Sequence, residues 1–138
     1  MKRAVIFDFD GVIADTEPLH WRAFQVILEP IGLGISWDEY LAEFIGYDDR
    51  DAFRAAYRRA GRDLSAGEME RLIAEKAAAF VAIAAAGDDV MYPGARELIH
   101  ACAGAGWVLA ICSGALRDDI EAILHGPNLL DEVDVVVS

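Results

Sequence analysis

The 138 residues carry a formal charge of -12, with 24 Asp and Glu against 12 Lys and Arg. No basic run stands out, which argues against a nucleic-acid backbone or an anionic membrane surface as the main partner. At 55% hydrophobic residues the chain is long enough for one real core. After Met1-Lys2-Arg3 only four apolar residues precede Asp8, too few for a signal-peptide core or a spanning helix, so the cytoplasm is the expected compartment.

The chain opens with a strand pattern over residues 4–9 that ends in Asp8 and Asp10. Side chains two apart on a strand share a face, so both carboxylates are expected in one space, with Gly11 permitting a sharp exit. Two acids side by side invite a cation, at the sheet edge where open α/β folds bind ligands. Residues 15–86 then carry helical signals and no convincing strand, far more than one crossover helix requires. A first helix runs from Glu17-Pro18 to Glu29-Pro30-Ile31-Gly32. Ser36 with Glu39, and Ser65 with Glu68, read as capping boxes. Further helices are expected over about 49–60, stopped by Gly61, and about 66–86, stopped by Gly87. Lys76, one of two lysines, interrupts the apolar stripe Met69, Leu72, Ile73, Phe80, Ile83 of the last helix. Its ammonium either snorkels into water or turns towards a ligand.

Pro93-Gly94 opens another helix, which Gly104-Ala105-Gly106 breaks before a second strand over 107–112 and the turn Ser113-Gly114. A helix over 116–124, ended by Gly126-Pro127, leads to a third strand over 133–137. None of the three strands alternates with polar residues, so each is expected to be buried on both faces of a parallel sheet. Cys102 and Cys112, without CxxC spacing or a neighbouring His, read as buried thiols of a reducing compartment. The pattern is α/β, with a sheet domain over 1–14 and 87–138 and an inserted helical domain over 15–86.

Asp8-Phe9-Asp10-Gly11-Val12, followed by Asp15-Thr16-Glu17, resembles the first motif of the haloacid dehalogenase superfamily of phosphatases and phosphomutases. The nearest likeness is to its β-phosphoglucomutase-like and phosphoglycolate-phosphatase-like branch, and it covers nearly the whole chain. It implies a doubly wound, Rossmann-like parallel-sheet core with an α-helical cap hinged near Ala14-Asp15 and Ala86-Asp88. The implied activity is that of a Mg2+-dependent phosphohydrolase or phosphomutase acting on a small phosphorylated metabolite. Asp8 would be the nucleophile that becomes an aspartyl phosphate, and Asp10 the general acid and base. The resemblance assigns Mg2+ to the Asp8 side chain, the Asp10 carbonyl and an acid of a fourth motif. True dehalogenases of the superfamily lack an acid at the place of Asp10, which favours phosphoryl transfer over carbon–halogen cleavage.

Ser113 and Gly114 match the second motif, where a hydroxyl and the following N–H bind the transferring phosphoryl. Lys76 stands near a lysine of the branch's cap, and His20 matches a histidine near the cap hinge. Gly46-Tyr47-Asp48-Asp49-Arg50 resembles the cap's specificity loop, with the departure that the arginine, Arg50, follows two aspartates. The family's third-motif lysine and fourth-motif acids would fall beyond Ser138. The expectation is therefore the N-terminal portion of an enzyme, inactive as 138 residues alone. The alternative is a non-catalytic binding or interaction module, with strand 4–9 as an open sheet edge through which copies associate.

Overall fold

A computed structural model describes residues 3–87 and 90–138, so Asp88, in the second expected hinge, lies outside the described residues. The chain divides into two compact units, Met1–Thr16 with Ala84–Ser138, and Glu17–Ile83. No helix among the described residues is long and apolar enough to cross a membrane.

In the first unit, β1 (Ala4–Phe7), β2 (Val108–Cys112) and β3 (Val135–Val137) form a parallel sheet in the order β1-β2-β3. Phe7 lies opposite Ile111 and Cys112 opposite Val137, so all three strands end at one edge. β1 is two residues shorter than the apolar run suggests, because the chain turns sharply after it. The amides of Val12, Ile13 and Ala14 all converge on the Phe9 carbonyl, and Gly11 N–H donates to the Ala14 carbonyl at 2.9 Å. Gly11 takes φ 74°, which an L side chain rarely adopts. At the far side of the sheet, Asp134 clasps β2 before β3 begins. Its amide donates to the Leu109 carbonyl at 2.9 Å, and its carboxylate accepts from Leu109 N–H at 2.8 Å.

The expectation of burial on both faces is corrected. Register places Val5, Phe7, Leu109, Ile111 and Val136 on one face, where Leu109 and Ile111 are only 1% exposed. Ile6, Val108, Cys112, Val135 and Val137 share the other face, with Ile6 71% and Val137 55% exposed. Crossover helices cover a parallel sheet. α5 (Ala95–Gly104), which packs on β2, and α6 (Arg117–His125) bury Ile99, Cys102, Ile120, Ile123 and Leu124, and among the described residues this cover reaches one face. For the same reason Cys112 is exposed where a buried thiol was expected, whereas Cys102 is buried.

The second unit is helical. α1 (Glu17–Leu28) continues as a 3-10 turn, Glu29–Ile31, that Gly32 ends at φ 75°. α2 (Trp37–Glu39) runs into a π-turn, Tyr40–Phe44, closed by the Ile45 amide on the Tyr40 carbonyl. α3 (Asp49–Arg59) and α4 (Ala66–Ala85) complete it. Phe24, Leu28, Ile35, Tyr40, Phe53 and Leu72 form the middle of its core. The Ser36 capping box is complete: Glu39 N–H donates to Ser36 Oγ at 3.3 Å, and Ser36 N–H donates to the Glu39 carboxylate at 2.9 Å. At Ser65, the Oγ accepts from Glu68 N–H, while the Glu68 carboxylate takes the Tyr57 hydroxyl at 2.9 Å.

Candidate active site

The carboxyl edge of the sheet carries both expected motifs. Asp8 follows the Phe7–Ile111 pair directly, and Ser113 follows the Cys112–Val137 pair. Neighbouring strands run about 4.8 Å apart, so the two residues leave adjacent strands at the same edge, Ser113 one residue further along than Asp8. Asp8 is exposed, and its Oδ1 accepts from Phe9 N–H at 2.7 Å. Phe9, fully buried, anchors the turn between the two acids.

Asp10 lies on the turn after β1 rather than on the strand itself. Strand alternation does not carry it to the side of Asp8, because β1 has ended at Phe7 and Asp10 belongs to the turn, bridged to Ala14. The turn is fixed from a distance: Asp15 N–H donates to the Val90 carbonyl and Tyr92 N–H to the Ile13 carbonyl, at 2.8 and 2.9 Å. It brings buried Thr16 back onto the acid, and Thr16 Oγ1 donates to Asp10 Oδ1 at 2.7 Å. The first motif includes Thr16, and the sequence alone assigns it no role. Its signal is a hydroxyl six residues beyond an acid, across a glycine turn.

Ser113 is half-buried, and its amide donates to the Val137 carbonyl at 3.0 Å, closing the sheet. Its Oγ accepts from Ala115 N–H at 3.2 Å, which leaves the hydroxyl proton for an incoming acceptor. A Cβ placed on Gly114 would meet nothing within 4 Å, so a ligand oxygen has room to approach the backbone there.

Mg2+ requires near-octahedral oxygen ligation. Asp8 and Asp10 each have one carboxylate oxygen engaged, by Phe9 N–H and Thr16 Oγ1. Among the described residues no group of three or more His, Cys, Asp or Glu could hold a metal ion. These residues do not by themselves fit a Mg2+ site.

Within the helical unit, Lys76 neither snorkels nor stands open to a ligand. It is 3% exposed, and its Nζ lies 2.8 Å from Asp49 Oδ1 and 2.9 Å from His20 Nδ1. The rings of Phe24 and Phe80 flank the ammonium, with centroids at 5.0 and 5.6 Å. An ammonium can only donate, so His20 Nδ1 accepts and the imidazole proton sits on Nε2. Burial, then the charge of Lys76, holds the His20 pKa down at about 3. The imidazole packs on Phe80 at 4.5 Å between centroids. Nearby in the same core, Tyr40 OH donates to Glu17 Oε2 at 2.6 Å, and burial with that carboxylate pushes the phenol pKa up. Arg50, the residue after Asp49, points outward instead and pairs with Glu70 at 2.6 Å, both side chains exposed.

Asp8, Asp10, Ser113 and Gly114 thus share the sheet unit, His20 and Lys76 meet inside the helical unit, and Arg50 joins neither group. In the sequence Asp49 is one of two aspartates ahead of Arg50, and nothing local marks it as the partner of a lysine 27 residues on. Only the packing of α3 on α4 reveals its lysine.

Residues 5–138 match the family model for haloacid dehalogenase-like hydrolases. Protein CbbY of Cereibacter sphaeroides is 30% identical over 125 residues, covering 89% of this chain and 54% of that protein. Hexitol phosphatase B of Escherichia coli (strain K12) is 26% identical over 135 residues, covering 98% of this chain and 60% of that protein. The crystal structure of CbbY from Rhodobacter sphaeroides in complex with phosphate matches at a TM-score of 0.80 and 26% identity, covering 99% of this chain and 63% of that one. The chain therefore spans little more than half the length of the curated relatives it matches.

Proposed function

We propose, from the premise that this chain belongs to the haloacid dehalogenase-like hydrolase family, that the whole protein is a phosphohydrolase or phosphomutase for a small phosphorylated metabolite. The observation that carries this proposal is the shared strand edge, where Asp8 leaves β1 beside Ser113 and Gly114 leaving β2. It is supported by the phosphate bound to the CbbY structure and by the hexitol phosphatase among the relatives.

In the proposed reaction, an Asp8 oxygen attacks phosphorus, the bond to the leaving oxygen breaks, and an aspartyl phosphate forms. Ser113 Oγ–H and the Gly114 N–H donate to phosphoryl oxygens, stabilising charge as it shifts. Asp10, oriented by Thr16, gives its proton to the leaving oxygen and later takes one from the attacking water or hydroxyl. Mg2+ dependence belongs to the same proposal, with the missing ligands coming from outside residues 1–138. Residues 15–86 act as the cap and 1–14 with 87–138 as the core, in a cytoplasmic enzyme. The cap residues meet the part of the substrate that does not react.

In the full-length protein, Asp8→Asn should abolish phosphate release, because an amide cannot form the acyl phosphate. Asp10→Asn should slow turnover by roughly 100- to 10,000-fold through lost proton transfer. Near-normal turnover of Asp8→Asn on a panel of phosphate monoesters would rule out the nucleophile.

A further inference from the structure

We propose that Arg117 is a positioning residue for the turn at Ser113-Gly114: it clamps β3 from the outside and so holds Ser113 Oγ–H and Gly114 N–H in place for a phosphoryl group. This rests on the phosphoryl-transfer proposal and deepens it.

Residues 113–117 lead from β2 into α6, and both ends of that segment are fastened to one strand. Ser113 N–H donates to the Val137 carbonyl at 3.0 Å, and Arg117 Nη2 donates to the Val136 carbonyl. Consecutive carbonyls of a strand point to opposite sides of it, so with Val137 turned towards β2, Val136 is turned away. The guanidinium therefore reaches the outer edge of β3, the last strand in the sheet order among the described residues. The strand is gripped from both sides by the two ends of the segment that carries the phosphoryl donors. Little else fixes that segment: Leu116 starts α6 without a side-chain cap and is 57% exposed, and Gly114 has open space around it. Helix chemistry does not explain Arg117 either. A cation in the first turn opposes the helix dipole, and Glu121 stands 3.5 Å away with both side chains exposed, a weak pair. Donors that stabilise developing charge must be in place before the reaction, and a shift of about 1 Å can cost roughly 100-fold in rate.

The test uses the full-length protein, with inorganic phosphate as a competitive inhibitor. Arg117→Met removes the donors and keeps an aliphatic stem. It should raise the Ki of phosphate and lower kcat/KM by roughly three- to tenfold, the size of one hydrogen bond. The factor should be equal for every phosphate monoester tried, because the turn meets only the phosphoryl end. Arg117→Lys keeps a charged donor and should recover most of the loss. Hydrogen exchange at the Ser113 amide should quicken in Arg117→Met and slow again in Arg117→Lys. A residue that only supports the fold would lower the urea midpoint and leave the Ki of the folded enzyme unchanged. Should Arg117→Met fail to fold, Arg117→Gln, too short to reach the carbonyl, gives the same reading. An unchanged Ki, or a loss that varies with the leaving group, would overturn the inference while leaving the phosphoryl-transfer proposal standing. A wild type that neither hydrolyses monoesters nor binds phosphate would sink both.

Discussion

A lysine withdrawn from water keeps its charge only if an acid goes with it, and in this chain the arrangement also constrains a histidine. In the unfolded chain His20 titrates near 6.5, and in the fold burial and Lys76 hold it at about 3. The folded state therefore binds fewer protons between those values. The stability supplied by neutral His20 is fully present above pH 6.5 and is lost progressively as pH falls towards 3. Urea midpoints should decline between pH 6.5 and 5, before most carboxylates titrate, and His20→Gln should flatten that decline. Matching slopes for the two proteins would show that the neutral ring contributes nothing. At the other unit, no third acid among the described residues joins Asp8 and Asp10 to complete a Mg2+ shell. Titration calorimetry on residues 1–138 should show weak binding at most, and a tight stoichiometric isotherm would contradict it.

At the scale of elements, Ser36→Ala should cost about 1 kcal/mol, read as a lower urea midpoint, because both halves of its capping box are made. A loss indistinguishable from zero would mean that water replaces the cap. Such signals are why the helices were legible: Gly32, Ser36, Gly61 and Gly94 punctuate the chain with chemistry that acts over a few residues. The π-turn at Tyr40–Phe44 was not legible, since its wider hydrogen bond serves the packing of Tyr40 and Phe44 in the core. Strand positions were found, but the end of β1 was not, because the turn beyond it is tied to Val90 and Tyr92, far along the chain. The candidate site divides in the same way. Asp8, Asp10, Ser113 and Gly114 stood in local motifs, whereas the Thr16 hydroxyl on Asp10 and the Asp49 carboxylate on Lys76 depend on how the chain returns.

For residues 1–138 taken alone, the apolar sheet face and the β1 edge that the described residues leave uncovered govern behaviour in solution. Ile6, Val135 and Val137 together present the kind of surface that associates. Residues 1–138 in isolation should scatter light increasingly with concentration, and Ile6→Lys with Val137→Lys should suppress it. A monodisperse species with strong hydrogen-exchange protection across Ala4–Phe7 would show that the face is not sticky. The splice of one unit into the other also sets a mechanical order. Parallel strands place the start of β1 and the end of β3 at opposite edges, so tension applied at Arg3 and Ser138 runs along the strands and loads both ladders in shear. In chain order residues 17–83 come between Thr16 and Ala84, both in the sheet unit. Under an optical trap the sheet must rupture first, and only then does tension reach α1 and α4 and draw the helices out from their ends.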